Sequence, residues 1–382
     1  MTWRGAVEEQ REAFLEEFLA EGANKRAVCQ AWGISRKTAY KWQARQEQEG
    51  RAGLRDRPRT PKQRPRQTSP AVEAAVLEVR AQHPSWGARK IAVGLQRAGV
   101  EPIPAPSTIT AILQRHGKIG VEASQKRVAL GRFERERPNE LWQMDFKGHF
   151  RLGCGLRCHP LLVLDDHSRF LLQLLSCTNE QGETVRQGLI GTFRSYGLPE
   201  QMLMDNGSPW GNDAVHVYTP LIVWLLRLGI AVLHGRPRHP QTQGKLERLN
   251  RTLEEDVIER SDFFDAQAAQ QGFDPFRRLY NEVRPHEALG MAVPASRYRV
   301  SERSYPEQLP PIEYEAADVV RRVQQGGRLS YGGREYRLPK AFYAEPVALR
   351  AMEQEGQMAV YYCKQRIAIL DLRGGTARPV RH

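Results

Sequence analysis

Three acidic side chains stand out in a chain rich in Lys and Arg: Asp145 in LWQMDFKG, Asp205 in QMLMDNG and Glu247 in HPQTQGKLERLN. In the first stretch Trp142, Met144 and Phe146 alternate onto one face of a strand, which leaves Asp145 on the other face with Gln143 and Lys147. An acid inside a segment of high β propensity is costly without a partner. QMLMD reads as a short apolar strand ending at Asp205, where Asn206-Gly207 turn the chain. Strand ends of α/β sheets are where ligands gather. Glu247 falls on the first turn of a helix whose apolar stripe is Leu246, Leu249, Leu253 and Val257. Glu247, Asn250, Arg251 and Glu254 occupy an adjacent face. Three carboxylates meeting at one sheet edge repel one another unless a cation lies between them. Oxygen donors of this kind suit Mg²⁺ or Mn²⁺. Two such ions about 3.5–4 Å apart can activate a water or hydroxyl and stabilise the leaving oxygen of a phosphodiester. Taken singly, each acid also has a plain reading: Asp205 as a turn residue, Glu247 as a helix acid favoured by the dipole.

The elements around these acids alternate. LWQMDFKGHF, PLLVLDDHSR and FLLQLLSCT are strand-like; ETVRQGLIGTFRSYG is a helix; QMLMD is a strand. DAVHVYTPLIVWLLRLG reads as a helix running through Pro220, IAVLHG as a strand and GKLERLNRTLEEDVIER as a long helix. This pattern predicts an α/β core over 138–290. Asp165, Asp166 and His167 follow a buried strand and read as a turn. Arg284 and His286 read as packing residues, and His239 belongs to the loop before Glu247. From 291 to 382 the chain gives short strands with turn signals, including the hairpin pair Gly332-Gly333, and predicts a small C-terminal β-barrel.

Ahead of the core the chain is helical and basic. The formal net charge is +13, and residues 1–137 hold 26 Lys or Arg against 15 Asp or Glu. That surplus points to an anionic partner, nucleic acid before a membrane surface. Residues 1–50 read as a helix-turn-helix unit. Phe14, Leu15, Phe18 and Leu19 form one apolar side, a turn falls at Gly33 and Ser35 caps the next helix. Val28, Trp32, Ile34, Ala39 and Trp42 fall where such a unit buries its core. Arg36, Lys37, Thr38, Tyr40 and Lys41 are left outward, as a helix in a major groove requires. Residues 51–67 are a basic, Pro-rich linker. Residues 68–117 form a second three-helix unit, with Ser107 expected to cap its last helix, and 118–137 form a charged connector. No secretory leader or bilayer-length apolar run is evident, which predicts a cytoplasmic protein with no membrane partner. Five scattered cysteines argue against a disulfide framework, and Cys154, Cys158 and His159 lack a second ligand pair for zinc.

WQMDF, DNGSPW and HPQTQGKLER, in that order, resemble the DDE catalytic core shared by retroviral integrases and bacterial insertion-sequence transposases. PQTQGKLER is the most specific piece. YNEVRPHEALG at 280–290 resembles the motif that closes this core in the bacterial enzymes, and GISRKTAYKW and GLRDRPRTP resemble their N-terminal half. The resemblance implies an RNase H-like core, with Asp145, Asp205 and Glu247 as a metal-binding catalytic triad for two Mg²⁺ or Mn²⁺ ions. It also implies Gln243, Lys245 and Arg251 near DNA ends. The partners it implies are double-stranded DNA, both element ends and target, and at least a second copy of the chain. Glu247 follows Asp205 by 42 positions, wider than the retroviral type of spacing. Two other activities fit parts of the pattern: a non-catalytic DNA-binding regulator, and an RNase H-like nuclease acting on RNA–DNA hybrids.

Overall fold

The computed structural model describes residues 7–57, 68–119, 134–205, 207–211, 218–235 and 244–380. The chain divides into two compact units, Met1–Gln67 and Thr68–His382.

The first unit comprises α1 (Val7–Leu19), α2 (Lys25–Ala31) and α3 (Arg36–Glu49). The side chains of Asn24 and Ser35 accept from the backbone N–H groups of Ala27 and Thr38, satisfying donors that a helix start leaves open. Phe14 and Phe18 stack at 5.5 Å, and Trp32 and Trp42 meet Phe14 edge-on at 5.8 Å each. Cys29 and Leu54 complete this core, while Leu19, expected on the buried side, is exposed. Leu54 belongs to the stretch expected as linker. Residues 50–54 instead form a 3-10 turn held by Arg11, which donates to the Leu54 carbonyl at 2.6 Å and pairs with Asp56.

The second unit begins with α4 (Pro70–Gln82), α5 (Ala88–Arg97) and α6 (Pro106–Arg115), packed around Val76, Trp86, Ile91, Leu95, Ile109, Ile112 and Leu113. Ser107 does not cap α6: the cap is Ala105, and Pro106 takes the first helical position, where its missing N–H costs nothing.

The α/β part contains β1 (Leu141–Phe146), β2 (Phe150–Arg151), β3 (Arg157–Asp165), β4 (Leu171–Cys177), α7 (Gly182–Tyr196) and β5 (Gln201–Met204). Then come α8 (Pro220–Arg227), β6 (Ala231–His234), α9 (Gly244–Asp256) and α10 (Ala266–Arg278). The strands lie in the order β4-β3-β1-β5-β6, with β2 beside the start of β3. β3 runs antiparallel to β1 and β4, whereas β1, β5 and β6 are parallel. The faces divide by alternation. Trp142, Met144, Leu161 and Val163 pack with α7 and α8; Leu162, Leu164, Leu171 and Leu174 pack with α9 and α10. Pro220 starts α8 with Thr219 as its cap, so the helix does not run through the proline; residues 212–217 lie outside the described residues. α10 was not anticipated. It is capped by Asp265 and buries Ala269, Phe273 and Phe276.

The C-terminal strands are β7 (Val319–Arg322), β8 (Arg328–Tyr331), β9 (Arg334–Arg337), β10 (Pro346–Ala351), β11 (Gln357–Tyr362), β12 (Gln365–Asp371) and β13 (Thr376–Pro379). Five of them form an antiparallel sheet in the order β13-β12-β11-β10-β7, and β8 and β9 form a hairpin turned by Gly332 and Gly333, both at positive φ. The hairpin approaches both ends of the sheet. Gln324 and Arg328 form a single bridge, and Arg334 donates to the Leu372 and Arg373 carbonyls. No ladder closes the ring among the described residues, so a closed barrel is not found. Every residue of α8 but its two ends is buried, because its outer side meets Phe342 and its C-terminal neighbours; one apolar cluster runs from the central sheet into the C-terminal one.

Candidate active site

β1 and β5 pair in parallel with Trp142 opposite Met202 and Gln143 opposite Leu203. Carried two residues further, that register sets Asp145 beside Asp205, on neighbouring strands about 4.8 Å apart. Asp205 closes its own turn: its Oδ1 accepts the Gly207 N–H at 2.9 Å. Trp210 inserts into the core and stacks on Phe146 at 5.6 Å, which fixes it against the strand that carries Asp145.

Glu247 comes from α9, whose stripe of Leu246, Leu249, Leu253 and Val257 is buried as expected. Two ion pairs fasten that helix to the sheet, one beyond each end of β1. Lys147, just past β1, pairs with Glu254, and Lys245 reaches Asp166 just beyond β3. Asp166 is fully buried and also accepts from the Gln143 side chain at 2.6 Å and the Arg135 N–H at 2.8 Å. Gln143 and Lys147 flank Asp145 on the same face of β1, so both clamps act around it. Burial pushes the Asp145 carboxyl up to about 7, reinforced by the negative charges of Asp205, Glu180 and Glu247 and opposed by the Phe146 N–H. The three expected acids therefore share one electrostatic neighbourhood. Among the described residues no three His, Cys, Asp or Glu side chains are already gathered at metal-binding distance.

Glu180 was not anticipated. It lies between β4 and α7, and His159 Nδ1 lies 2.8 Å from its Oε1. Its only signal in the sequence was an acid shortly after a buried strand, which many loops share. The Asp165–Ser168 segment is a turn, as expected. Asp165 accepts from the Ser168 N–H and hydroxyl and from the Asn139 N–H. Arg284 is a packing residue. It is buried and donates to Ser85 at 2.6 Å, Asp256 at 3.3 Å and Thr252 at 3.4 Å, tying α4–α6 to α9. Burial holds His286 down to about 3, with the Arg284 and Lys90 charges adding to the effect.

The expected DNA-contact residues divide. Arg36, Lys37 and Lys41 are exposed on α3. Tyr40 is exposed too, its ring edge-on to Phe18 with Lys25 above both rings. Thr38 is partly taken up by the cap, its hydroxyl 2.8 Å from that of Ser35. Arg251 is exposed on α9. Lys245 places its ammonium in the clamp on Asp166. Burial takes its pKa down to about 8 against the pull of that carboxylate. Gln243 and His239 lie outside the described residues.

Family models match in the same order as the elements. A helix-turn-helix domain covers residues 10–62 and a homeodomain-like domain 38–113. Integrase core domains cover 135–240 and 228–294, and the C-terminal domain of IS481 family transposases covers 318–378. The chain thus carries helix-turn-helix, integrase-core and IS481-type C-terminal domain matches in that order, and its curated relatives are insertion-element proteins. It is 27% identical over 158 residues to an uncharacterised 39.2 kDa protein of insertion element IS476 from Xanthomonas euvesicatoria, a match covering 41% of this chain and 44% of that protein. It is 24% identical over 238 residues to a 31.7 kDa protein of insertion element IS407 from Burkholderia multivorans, covering 61% and 82% respectively. Among solved structures, a chain of the simian T-cell lymphotropic virus intasome in complex with a PP2A regulatory subunit aligns at 13% identity and TM-score 0.37, over 76% of this chain and 99% of that one. The HTLV-2 integrase catalytic core in complex with magnesium aligns at 13% identity and TM-score 0.33, over 42% and 97%. No helix of the described residues is long and apolar enough to cross a membrane.

Proposed function

We propose that this transposase cuts and joins DNA with Asp145, Asp205 and Glu247 as its catalytic acids. What carries the reading is the parallel β1–β5 register, which, carried two residues past Gln143–Leu203, brings Asp145 level with Asp205, with the charge of Glu247 bearing on Asp145 from α9. The donor set suits a hard divalent cation: every side chain in it offers carboxylate oxygen, and burial together with the neighbouring negative charges raises the Asp145 carboxyl. Two Mg²⁺ or Mn²⁺ ions, when bound, would balance the carboxylates and polarise the scissile phosphate. Asp145 and Asp205 would hold them from the sheet and Glu247 from the helix, with the clamps at Lys147 and Lys245 setting the position of α9.

In this reading the helical units over 1–50 and 68–117 grip the terminal inverted repeats, with Arg36, Lys37, Tyr40 and Lys41 toward the groove. Arg251 and Gln243 face DNA near the acids. The core spans 138–290, and the C-terminal 291–382 is a barrel-like β domain left open between its five-stranded sheet and the β8–β9 hairpin. Water cleaves the phosphodiester at the element end; the freed 3′-hydroxyl then attacks target DNA, and no protein–DNA covalent bond forms. Joining two ends calls for at least a dimer on DNA in the cytoplasm.

The test uses the full chain and a labelled duplex carrying DNA from the flanks of its gene. Asp145→Asn, Asp205→Asn and Glu247→Gln should each bind the duplex as the parent does, lose Mg²⁺-dependent cleavage, and lose the rise in thermal midpoint that Mg²⁺ gives the parent. Cleavage near the parental rate in any of the three overturns the triad. A parent that binds but never cleaves is a DNA-binding regulator instead.

A further inference from the structure

β5 ends at Met204, and its pairing with β6 closes with the Gly235 N–H donated to the Met204 carbonyl at 3.0 Å. The ladder stops one residue short of Asp205. A side chain takes over there. His234, the last residue of β6, has its Nδ1 2.9 Å from the Asp205 carbonyl oxygen. A carbonyl only accepts, so Nδ1 carries the proton and donates it. Asp205 Oδ1 accepts the Gly207 N–H at 2.9 Å, so residue 205 is held at its carbonyl and at its carboxylate. Both groups hang from one Cα, and fixing the carbonyl limits where the carboxylate can swing. β6 is in turn held from its outer side. It is the last strand of the central sheet, and an edge strand presents N–H and C=O groups that lack a neighbouring strand. At Val232 the side chain of Gln365, the first residue of β12, takes both. The Val232 N–H donates to its Oε1 at 3.2 Å, and its Nε2 donates to the Val232 carbonyl at 3.5 Å. A primary amide here stands in for a strand. Val232 and His234 are one strand repeat apart. A hydrogen-bonded path therefore runs from the C-terminal sheet through β6 to the backbone of Asp205.

We infer that His234 is a positioning residue for Asp205, and that Gln365 sets it from the C-terminal sheet. Neither side chain needs to touch a metal ion or DNA, because each acts by holding a stretch of backbone. A ligand to a metal ion is commonly oriented by an outer hydrogen bond, and losing that bond costs about 10–100-fold in metal affinity or activity. The C-terminal sheet thus has a share in the geometry of the candidate catalytic edge through Gln365, over and above its apolar packing on α8. This inference rests on the reading that Asp205 is a metal ligand.

The experiment titrates Mn²⁺ into the full chain by calorimetry, without DNA, and measures binding and cleavage of the labelled flank duplex beside it. His234→Leu should lower Mn²⁺ affinity about 10–100-fold and lower kcat for cleavage, with metal-free duplex binding as in the parent. His234→Asn should keep the parental Mn²⁺ affinity, because the asparagine amide nitrogen hangs from Cγ as Nδ1 does. His234→Gln should lose it, since its amide nitrogen stands one bond further out. The contrast between Asn and Gln holds as a test even where the leucine variant fails to fold. Gln365→Leu should also weaken Mn²⁺ binding and leave metal-free duplex binding unchanged; parental Mn²⁺ affinity in it overturns the link to the C-terminal sheet. Parental Mn²⁺ affinity in His234→Gln overturns the positioning role. So do equal losses in the Asn, Gln and Leu variants, which make the ring itself the group that matters. Asp205→Asn separates this role from the triad. If Asp205→Asn binds Mn²⁺ as the parent does, the triad reading fails. If it loses Mn²⁺ while His234→Gln keeps it, only the role of His234 fails.

Discussion

Lys245→Met separates an anchoring role from a DNA-contact role for the residue two positions before Glu247. The Lys245 side chain is 16% exposed and its partner Asp166 is fully buried. Removing one member of such a pair leaves an uncompensated buried charge and costs about 3–5 kcal/mol. Asp166 keeps the Gln143 amide and the Arg135 N–H, which hold part of its charge. The loss therefore falls near the lower end, about 3 kcal/mol, or on the order of a hundredfold in the unfolding equilibrium. Urea denaturation of Lys245→Met, Asp166→Asn and the double variant measures it, and the two single losses should fail to add by roughly 1–3 kcal/mol. With α9 loosened at its start, Glu247 shifts and cleavage should fall further than DNA binding does. A parental urea midpoint together with a salt slope lower by about 0.9 would show a phosphate contact and refute the clamp.

Acid should destabilise the fold through His286. Its ring is held neutral, with a pKa near 3 against an ordinary 6.5, so the unfolded chain takes up its proton first. The stability is complete above pH 6.5 and is lost as pH falls toward 3, at most roughly 4–5 kcal/mol. His286→Leu should flatten that part of a urea-midpoint profile against pH, and an unaltered profile would assign the acid sensitivity elsewhere. Asp256→Ala strips Arg284 and Ser85 of their shared acceptor. It should cost about 3–5 kcal/mol by urea denaturation and raise hydrogen exchange in α4–α6 selectively. A loss under about 1 kcal/mol would mean that the seam is held by apolar packing instead.

Much of the α/β core was readable because its signals are local and periodic. The alternation in LWQMDF and the stripe from Leu246 to Val257 each follow from one element burying one face. The helix-turn-helix core was legible for the same reason, but Leu54 was not, since nothing in a basic, Pro-rich stretch announces a residue that folds back under Arg11. α10 escaped because AQAAQQGFDPFRR is mostly polar with an internal proline, and its apolar contacts appear only once the sheet is present. β7 and β13 are four residues each and carry Arg and Pro, which obscures β periodicity. Lys245 was read as a DNA ligand because it is a Lys beside a catalytic motif. Its partner Asp166 is 79 positions away, and no local pattern joins them. The three acids are recognisable by type and motif, whereas Glu180 joins their electrostatic neighbourhood only in three dimensions.

Because α8 is buried from Leu221 to Leu226 within one apolar cluster that reaches from the central sheet into the C-terminal one, the C-terminal strands act as the second wall of the protein's interior. A frameshift or stop codon after the last core motif would therefore not yield a trimmed but working core. It would strip water-shy surface bare along α8 and deliver a sticky, protease-prone polypeptide. Copies of such a gene damaged only near their 3′ end should be as silent as those damaged in the middle.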